Sequence, residues 1–385
     1  MTAEKTDVAI VGAGPIGLEM AAALKRRGIS YLHFDARQIG YTISWFAPQT
    51  RFFSSNERIA IAGLPLETPD QSKSTREQYL TYLRSVVRLF DLQVRTYEPV
   101  IGIERGGGEF LLTTNPAGGG KQIRAARLIL ATGGTDQPRR LGIEGEDLPH
   151  VSHYFQDPHL YFNRRLLIVG GKNSAVEAAL RCHYAGAKVA ISYRRGELDA
   201  RSIKYWLMPE ISSLIKEGKI EGHFGTTLAR IGEGEVEVEK VRHEGEERDK
   251  GTEGVATATK LRDKGAGEER HEGTKARRHE GVERGERKIV AVDSVLLLTG
   301  YVADVSLLRM AGVELVGECQ SPRYDPRTME TNVPGLYVAG TATGGTQEKY
   351  TLFIENCHVH AERILAAITG AAPPEAPPPL ERPES

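Results

Sequence analysis

The 385-residue sequence predicts an α/β chain built as two parallel-sheet units of the dinucleotide-binding type, one inserted within the other. Three observations predict this. From residue 1 to about 238, short apolar runs alternate with helix-like stretches and Gly-marked turns, which is the texture of βαβ units. A Gly-rich turn stands between a strand-like run and a helix-like run twice, at Gly12–Gly17 and at Gly170–Ala175. The length suits about two to three domains of roughly 150 residues each.

The first unit opens with the apolar run Asp7–Val11, followed at once by Gly12-Ala13-Gly14-Pro15-Ile16-Gly17 and a helix pattern over Leu18–Arg27. The next strand, Tyr31–Phe34, ends in Asp35, 18 positions after Gly17. Each part has a mechanical reason. Gly12 permits the tight turn, Gly14 lets the backbone approach a pyrophosphate, and Gly17 lets the helix pack against the strand. The helix N-terminus offers unpaired N–H groups. Asp35 can accept from ribose hydroxyls.

The second unit repeats the plan. The strand Arg164–Val169 leads into Gly170-Gly171-Lys172-Asn173-Ser174-Ala175, then a helix over Val176–Ala185 and a strand over Lys188–Tyr193. Lys172 occupies the position of the second glycine, where a cation can contact a phosphate. The strand ends in Arg194-Arg195 rather than in an acid. A carboxylate repels a ribose 2′-phosphate and a guanidinium fork binds it, so this turn reads as one for NADPH; the bland alternative is a solvated strand end. One acid-ended turn and one Arg-ended turn imply two different dinucleotides, most economically FAD in the first and NADPH in the second.

Residues 239–288 lose nearly all apolar content, and RHEG recurs at Arg242, Arg270 and Arg278. Such a stretch cannot bury enough apolar surface to order itself, and it reads as a disordered or loosely helical charged insertion, with a functional charged arm as the alternative. The tail from 371 to 385 holds 6 Pro and reads as extended. With 50 Lys/Arg against 51 Asp/Glu the chain lacks the basic footprint of a nucleic-acid binder. Three cysteines, none in a C-x-x-C pair, exclude a disulfide scaffold, a multi-cysteine zinc site and a protein-borne dithiol relay. No apolar run approaches a membrane span, and the cytoplasm is the expected compartment.

Further segments carry a resemblance. Leu128–Gly134 (LILATGG), Ser294–Tyr301 (SVLLLTGY) and Asn332–Gly340 (NVPGLYVAG) resemble strands of the thioredoxin-reductase-like, two-dinucleotide-binding flavoproteins. RFFSSNERIAIAG (Arg51–Gly63), VGGKNSAVEAAL (Val169–Leu180), RSIKYWLMPE (Arg201–Glu210), METNV (Met329–Val333) and FIEN (Phe353–Asn356) are similar to bacillithiol disulfide reductases of the YpdA type. Lys172 belongs to that pattern. The resemblance implies two Rossmann-like dinucleotide-binding domains. The FAD domain is discontinuous (1–150 and 302–370), and the NADPH domain (151–301) is inserted within it. It implies FAD binding, NADPH oxidation and reduction of a low-molecular-weight disulfide.

Carried over by position, Gly12, Gly14, Gly17 and Asp35 would hold FAD pyrophosphate and ribose, and Thr132 and Gly133 would line its site. Gly340 and Thr341 follow on the late flavin-contacting strand, Thr341 standing where an Asp is usual. Gly170, Lys172, Asn173 and Ser174 would hold NADPH phosphates, with Arg194 and Arg195 on the 2′-phosphate. Members of the group often carry a Cys in the first turn, where this chain has Ile16. The one substitute thiol is Cys357, expected early on a helix beginning near Thr351, where a first helical turn lowers a thiol pKa; its bland alternative is a packed small residue. His358 and His360, on the same helix, are candidate proton donors, with ordinary surface or satisfied histidines as the bland alternative.

The leading expectation is an NADPH-dependent flavoprotein acting on a small-molecule disulfide or a small redox protein. Neither nucleic acid nor membrane is an expected partner, and a homo-oligomer stays open. The rivals are a flavin monooxygenase, an NADPH:ferredoxin or flavodoxin reductase, and a non-catalytic NADPH sensor.

Overall fold

The computed structural model describes residues 3–241, 286–347, 351–372 and 374. The chain begins with β1 (Glu4–Val11), α1 (Pro15–Arg26), β2 (Tyr31–Phe34), α2 (Tyr41–Ser44), α3 (Asn56–Ile59), α4 (Arg76–Leu89), β3 (Val94–Arg95), β4 (Val100–Gly106), β5 (Glu109–Thr114), β6 (Lys121–Leu130), β7 (Gln137–Pro138) and β8 (Val151–Ser152). Next come β9 (Arg165–Val169), α5 (Asn173–Tyr184), β10 (Lys188–Tyr193), α6 (Met208–Lys216), β11 (Glu221–Phe224), β12 (Thr226–Ile231), β13 (Glu235–Lys240), β14 (Arg287–Ala291) and β15 (Ser294–Leu297). The chain closes with β16 (Tyr301–Val302), α7 (Ser306–Met310), β17 (Leu315–Val316), β18 (Ser321–Pro322), β19 (Leu336–Val338) and α8 (His358–Thr369).

Two sheets share one plan. In the first, β3, β2, β1 and β6 run parallel, and β19 joins the far side of β6 in parallel. In the second, β11, β10, β9, β15 and β8 run parallel in the corresponding order. An antiparallel meander accompanies each: β4–β5 with the first half of β6, and β12–β13–β14. The strands alternate by residue, as a sheet covered on both faces demands. Val8 and Ile10 face the helical core with α1, α4 and α8, whereas Ala9 and Val11 face the meander. Leu166 and Ile168 pack under α5 and α6, and Leu167 and Val169 pack on β12–β14.

The chain leaves the first sheet through β7 and returns through β16, and the two crossovers pair antiparallel. Asp136 accepts the Asp304 N–H across them at 2.9 Å, and burial pushes its carboxyl up to about 6. Trp45 of the first unit meets Tyr154 and Tyr301 beside these crossovers, with ring centroids 5.5 and 6.2 Å away.

The charged stretch 239–288 is not irregular throughout. Its first two residues end β13 and its last two begin β14, because the alternation Val236, Val238, Val290 buries one face of that pair. Residues 242–285 of the stretch lie outside the described residues, as does the tail at 373 and 375–385.

Candidate functional site

The residues expected at the first turn converge at the carboxyl edge of the first sheet. The Gly12–Gly17 turn follows β1, Asp35 follows β2, Thr132 and Gly133 follow β6, and Gly340 and Thr341 follow β19, and these are adjacent parallel strands. Such an edge is where open α/β sheets take ligands. The glycines have separate causes. A Cβ at Gly12, whose φ is +106°, would collide with the Ala131 carbonyl, and one at Gly17 with the Gly12 carbonyl. Gly14 has no described atom within 4 Å of a Cβ, so protein packing does not require it and the open face above the turn does. No side chain caps α1, so its first N–H groups are left for a ligand or solvent. The residues therefore fit a dinucleotide pyrophosphate.

Asp35 holds the turn as well as facing it. Its Oδ2 accepts the Ala13 N–H and its Oδ1 the Arg37 N–H, both at 2.7 Å. Burial raises its pKa and these two bonds oppose the rise.

Two buried histidines, one on each side, support the same edge. His33 on β2 is 0% exposed, and its Nε2 donates to the Gly12 carbonyl at 2.9 Å. His360 on α8 accepts the Gly340 N–H at Nδ1, 3.1 Å away. Burial lowers both to about 4, so both are neutral imidazoles. His358 is the opposite case. Its Nδ1 faces Glu19 Oε2 and its Nε2 the Arg58 carbonyl, each at 2.8 Å. Two acceptors require two protons. Burial works against that charge, and the hydrogen bond and attraction of Glu19 overcome it, so the pKa is raised. His358 and His360 are thus paired with Glu19 and with backbone, as satisfied histidines are.

Cys357 sits elsewhere than on the first turn of a helix from Thr351. The helix starts at His358, not near Thr351, and a 3-10 turn at Ile354–Asn356 precedes it. Cys357 packs at 0% exposure among Ile16, Ala361 and Ile364, and burial pushes its thiol up to about 12. A thiol so placed is neither ionised nor reachable. Ile16 packs on the Gly340 turn, where a Cβ would lie 3.4 Å from its own.

The second set also converges. The Gly170–Ser174 turn follows β9, and Arg194 and Arg195 follow its neighbour β10. A Cβ at Gly170, φ +143°, would press on the Leu298 carbonyl at 2.5 Å. Lys172 is exposed at the N-cap of α5, which has no side-chain cap. Ser174, Arg194 and Arg195 are exposed as well, and Arg195 approaches Asp199 at 3.9 Å. Asn173 also bonds within the protein: its Oδ1 accepts the Lys204 N–H at 2.6 Å.

Sequence reasoning missed what lies between the two turns. Lys204, 7% exposed, donates from Nζ to Glu177 of α5 at 2.9 Å and to the Arg51 carbonyl at 3.0 Å. Trp206 stacks on Phe53 at 5.9 Å, and the Lys73 ammonium stands 5.2 and 5.1 Å from the two rings. The only signal was that RFFSSN and RSIKYW both belong to the quoted motifs.

The chain matches the pyridine nucleotide-disulphide oxidoreductase family over residues 9–260 and 266–340. It is 32% identical to bacilliredoxin reductase Bdr of Bacillus subtilis (strain 168), over 93% of this chain and 96% of that one. The solved bacillithiol disulfide reductase Bdr from Bacillus cereus superposes with a TM-score of 0.80 at 31% identity, covering 95% of this chain and 99% of that one. A ferredoxin–NADP reductase of Thermus thermophilus is 27% identical over 88% of this chain and 85% of its own. No helix among the described residues is long and apolar enough to cross a membrane. With two glycine turns on two like-ordered sheets, the chain belongs to the pyridine nucleotide-disulphide oxidoreductase family and is an FAD-containing, NADPH-dependent oxidoreductase.

Proposed function

We propose that this oxidoreductase reduces the disulfide of bacillithiol, or the mixed disulfide that bacillithiol forms with a small redox protein of the bacilliredoxin kind. The observation that carries the reading is the full-length similarity, at 32% identity, to a bacilliredoxin reductase. The first cradle, on the unit formed by 1–150 and 302–370, takes FAD, with Gly12, Gly14 and Gly17 at the pyrophosphate, Asp35 at the ribose and Thr132, Gly133, Gly340 and Thr341 along the edge. The second, on 151–301, takes NADPH, with Gly170, Lys172 and Ser174 at the phosphates and Arg194 and Arg195 at the 2′-phosphate. Between them the cofactors supply two-electron transfer, and the balance is NADPH + H⁺ + RSSR → NADP⁺ + 2 RSH. The chain's own residues orient and bind. His33 and His360 hold the first cradle's turns, and the uncapped starts of α1 and α5 offer N–H groups to anions. The reaction belongs to the cytoplasm, where thiols are kept reduced, and a homo-oligomer is compatible with it.

A second reading is favoured by one observation. Cys357 is buried and Ile16 stands in the first turn, so the described residues offer no accessible thiol there. Electron delivery to ferredoxin or flavodoxin needs none. One experiment separates the two. Under anaerobic conditions NADPH should bleach the flavin absorbance, and bacillithiol disulfide or the bacilliredoxin mixed disulfide should restore it within seconds. Recovery with ferredoxin or flavodoxin alone would replace the first reading by the second.

A further inference from the structure

Two cradles on separate sheets are productive only if their ligands' reacting atoms meet at about 3–3.5 Å, and an error of about 1 Å can cost about 100-fold in rate. Something in the chain must set that distance, and the sheets do not. They are covalently joined only by the two crossovers. A bridge made of one chain segment and its hydrogen bonds, however, runs from one glycine turn to the other. It starts at the first turn, where the Gly40 N–H donates to the Ala13 carbonyl at 2.9 Å. The segment that follows is stitched to α4. The Arg76 N–H donates to the Thr50 carbonyl at 2.8 Å, and the Gln49 N–H to Glu77 at 3.0 Å. That segment then docks on the other unit. Ala47 joins the core under α5, and the Arg181 guanidinium on α5 donates to the Pro48 carbonyl at 2.7 Å.

The bridge ends at Lys204. Its Nζ joins the Arg51 carbonyl of the first unit to Glu177 of α5, and its N–H is held by Asn173, the first residue of the same helix. Asn173 and Glu177 are four apart and so share a face of α5. Lys204 therefore grips the very helix whose start forms the second turn. Trp206, two residues on, adds the stack with Phe53. An ammonium buried to this degree is costly unless fully paired, and here both partners are fixed.

We propose that Lys204, with the Phe53–Trp206 stack, is a positioning residue for hydride transfer: it fixes the second cradle against the first, so that the nicotinamide and the flavin meet in register. The inference rests on the cradle assignment above and is independent of the electron acceptor.

The test is anaerobic stopped-flow bleaching of the flavin by NADPH in the full-length holoenzyme. The variant is Lys204→Met in a Glu177→Gln background, which strands no charge, with Glu177→Gln alone as control. Relative to the control, the bleaching rate constant at saturating NADPH should fall at least 10-fold, while FAD per chain stays the same and the Kd for NADPH changes less than threefold. Trp206→Ala should act likewise, and Trp206→Phe, which keeps a stacking ring, should restore most of the rate. If Lys204→Met does not yield folded protein, the Trp206 pair decides alone. Wild-type bleaching rates in both Lys204→Met and Trp206→Ala would overturn the inference, as would an effect confined to the Kd for NADPH. Failure of the wild type itself to bleach would instead sink the cradle assignment.

Discussion

At the scale of single residues, the buried titratable groups around the first cradle set its pH behaviour, and they pull in opposite directions. His33 and His360 are held near 4 by burial, against about 6.5 when unfolded. Between those values the unfolded chain binds protons that the folded chain refuses, so stability falls as pH drops below about 6.5, by about 1.4 kcal/mol per pH unit for each histidine. His358 is raised by Glu19, so its contribution is complete below about 6.5 and is lost as pH rises through its folded value. Replacing His360 by Asn keeps an acceptor for the Gly340 N–H and removes the titration. Urea unfolding at pH 7 and pH 5 should show the wild type losing about 2 kcal/mol more than this variant. Cys357 yields a second expectation. If this buried thiol only packs, Cys357→Ala should keep steady-state disulfide turnover within about twofold and cost on the order of 1 kcal/mol by thermal melting. A loss of turnover with the fold intact would return Cys357 to the chemistry.

At the scale of elements, the three glycines of the first turn separate ligand demands from packing demands. Gly14 has ordinary backbone angles, φ −73° and ψ −178°, and open space above it. Gly14→Val should therefore leave the melting temperature of the apoprotein near that of wild type while FAD content drops severalfold. Gly17→Ala meets the Gly12 carbonyl and should destabilise the apoprotein itself. The end of β10 gives a parallel test: Arg194 and Arg195 replaced together by Ala should raise the KM for NADPH at least 10-fold and leave that for NADH nearly unchanged. Both turns were legible in the sequence because strand, glycine and helix lie within one short stretch of chain, and local spacing carries that information. The start of α8 was not legible. The Thr351–Asn356 stretch looks helical, but Asn356 turns back to accept the Phe353 N–H and donate to the Thr351 carbonyl, closing a 3-10 turn first. The burial of Cys357 matches the packed-residue alternative, although its partners, α1 and α8, lie too far apart in sequence for any local pattern to name them.

At the scale of the whole molecule, β19 returns to the first sheet after β15 has joined the second, and no sequence pattern pointed to the clasp around Lys204. Lys204 reaches the Arg51 carbonyl across 153 positions of sequence, and no periodicity within either segment reports a meeting of that kind. The two sheets also differ in when they can be completed. All five parallel strands of the second sheet, and its meander, lie between Val151 and Leu297. The first sheet waits for β19 at Leu336–Val338 and for α8, which covers α1 and supplies His360. On the ribosome, where domains fold as they emerge from the N-terminal side, this reverses the expected order. The inserted unit is finished while the unit that encloses it still lacks a strand, and a chain stalled just before Leu336 would be captured on an NADP-analogue resin yet hold no flavin. On the proposed cradle assignment, flavin uptake would then wait for the last strand to emerge.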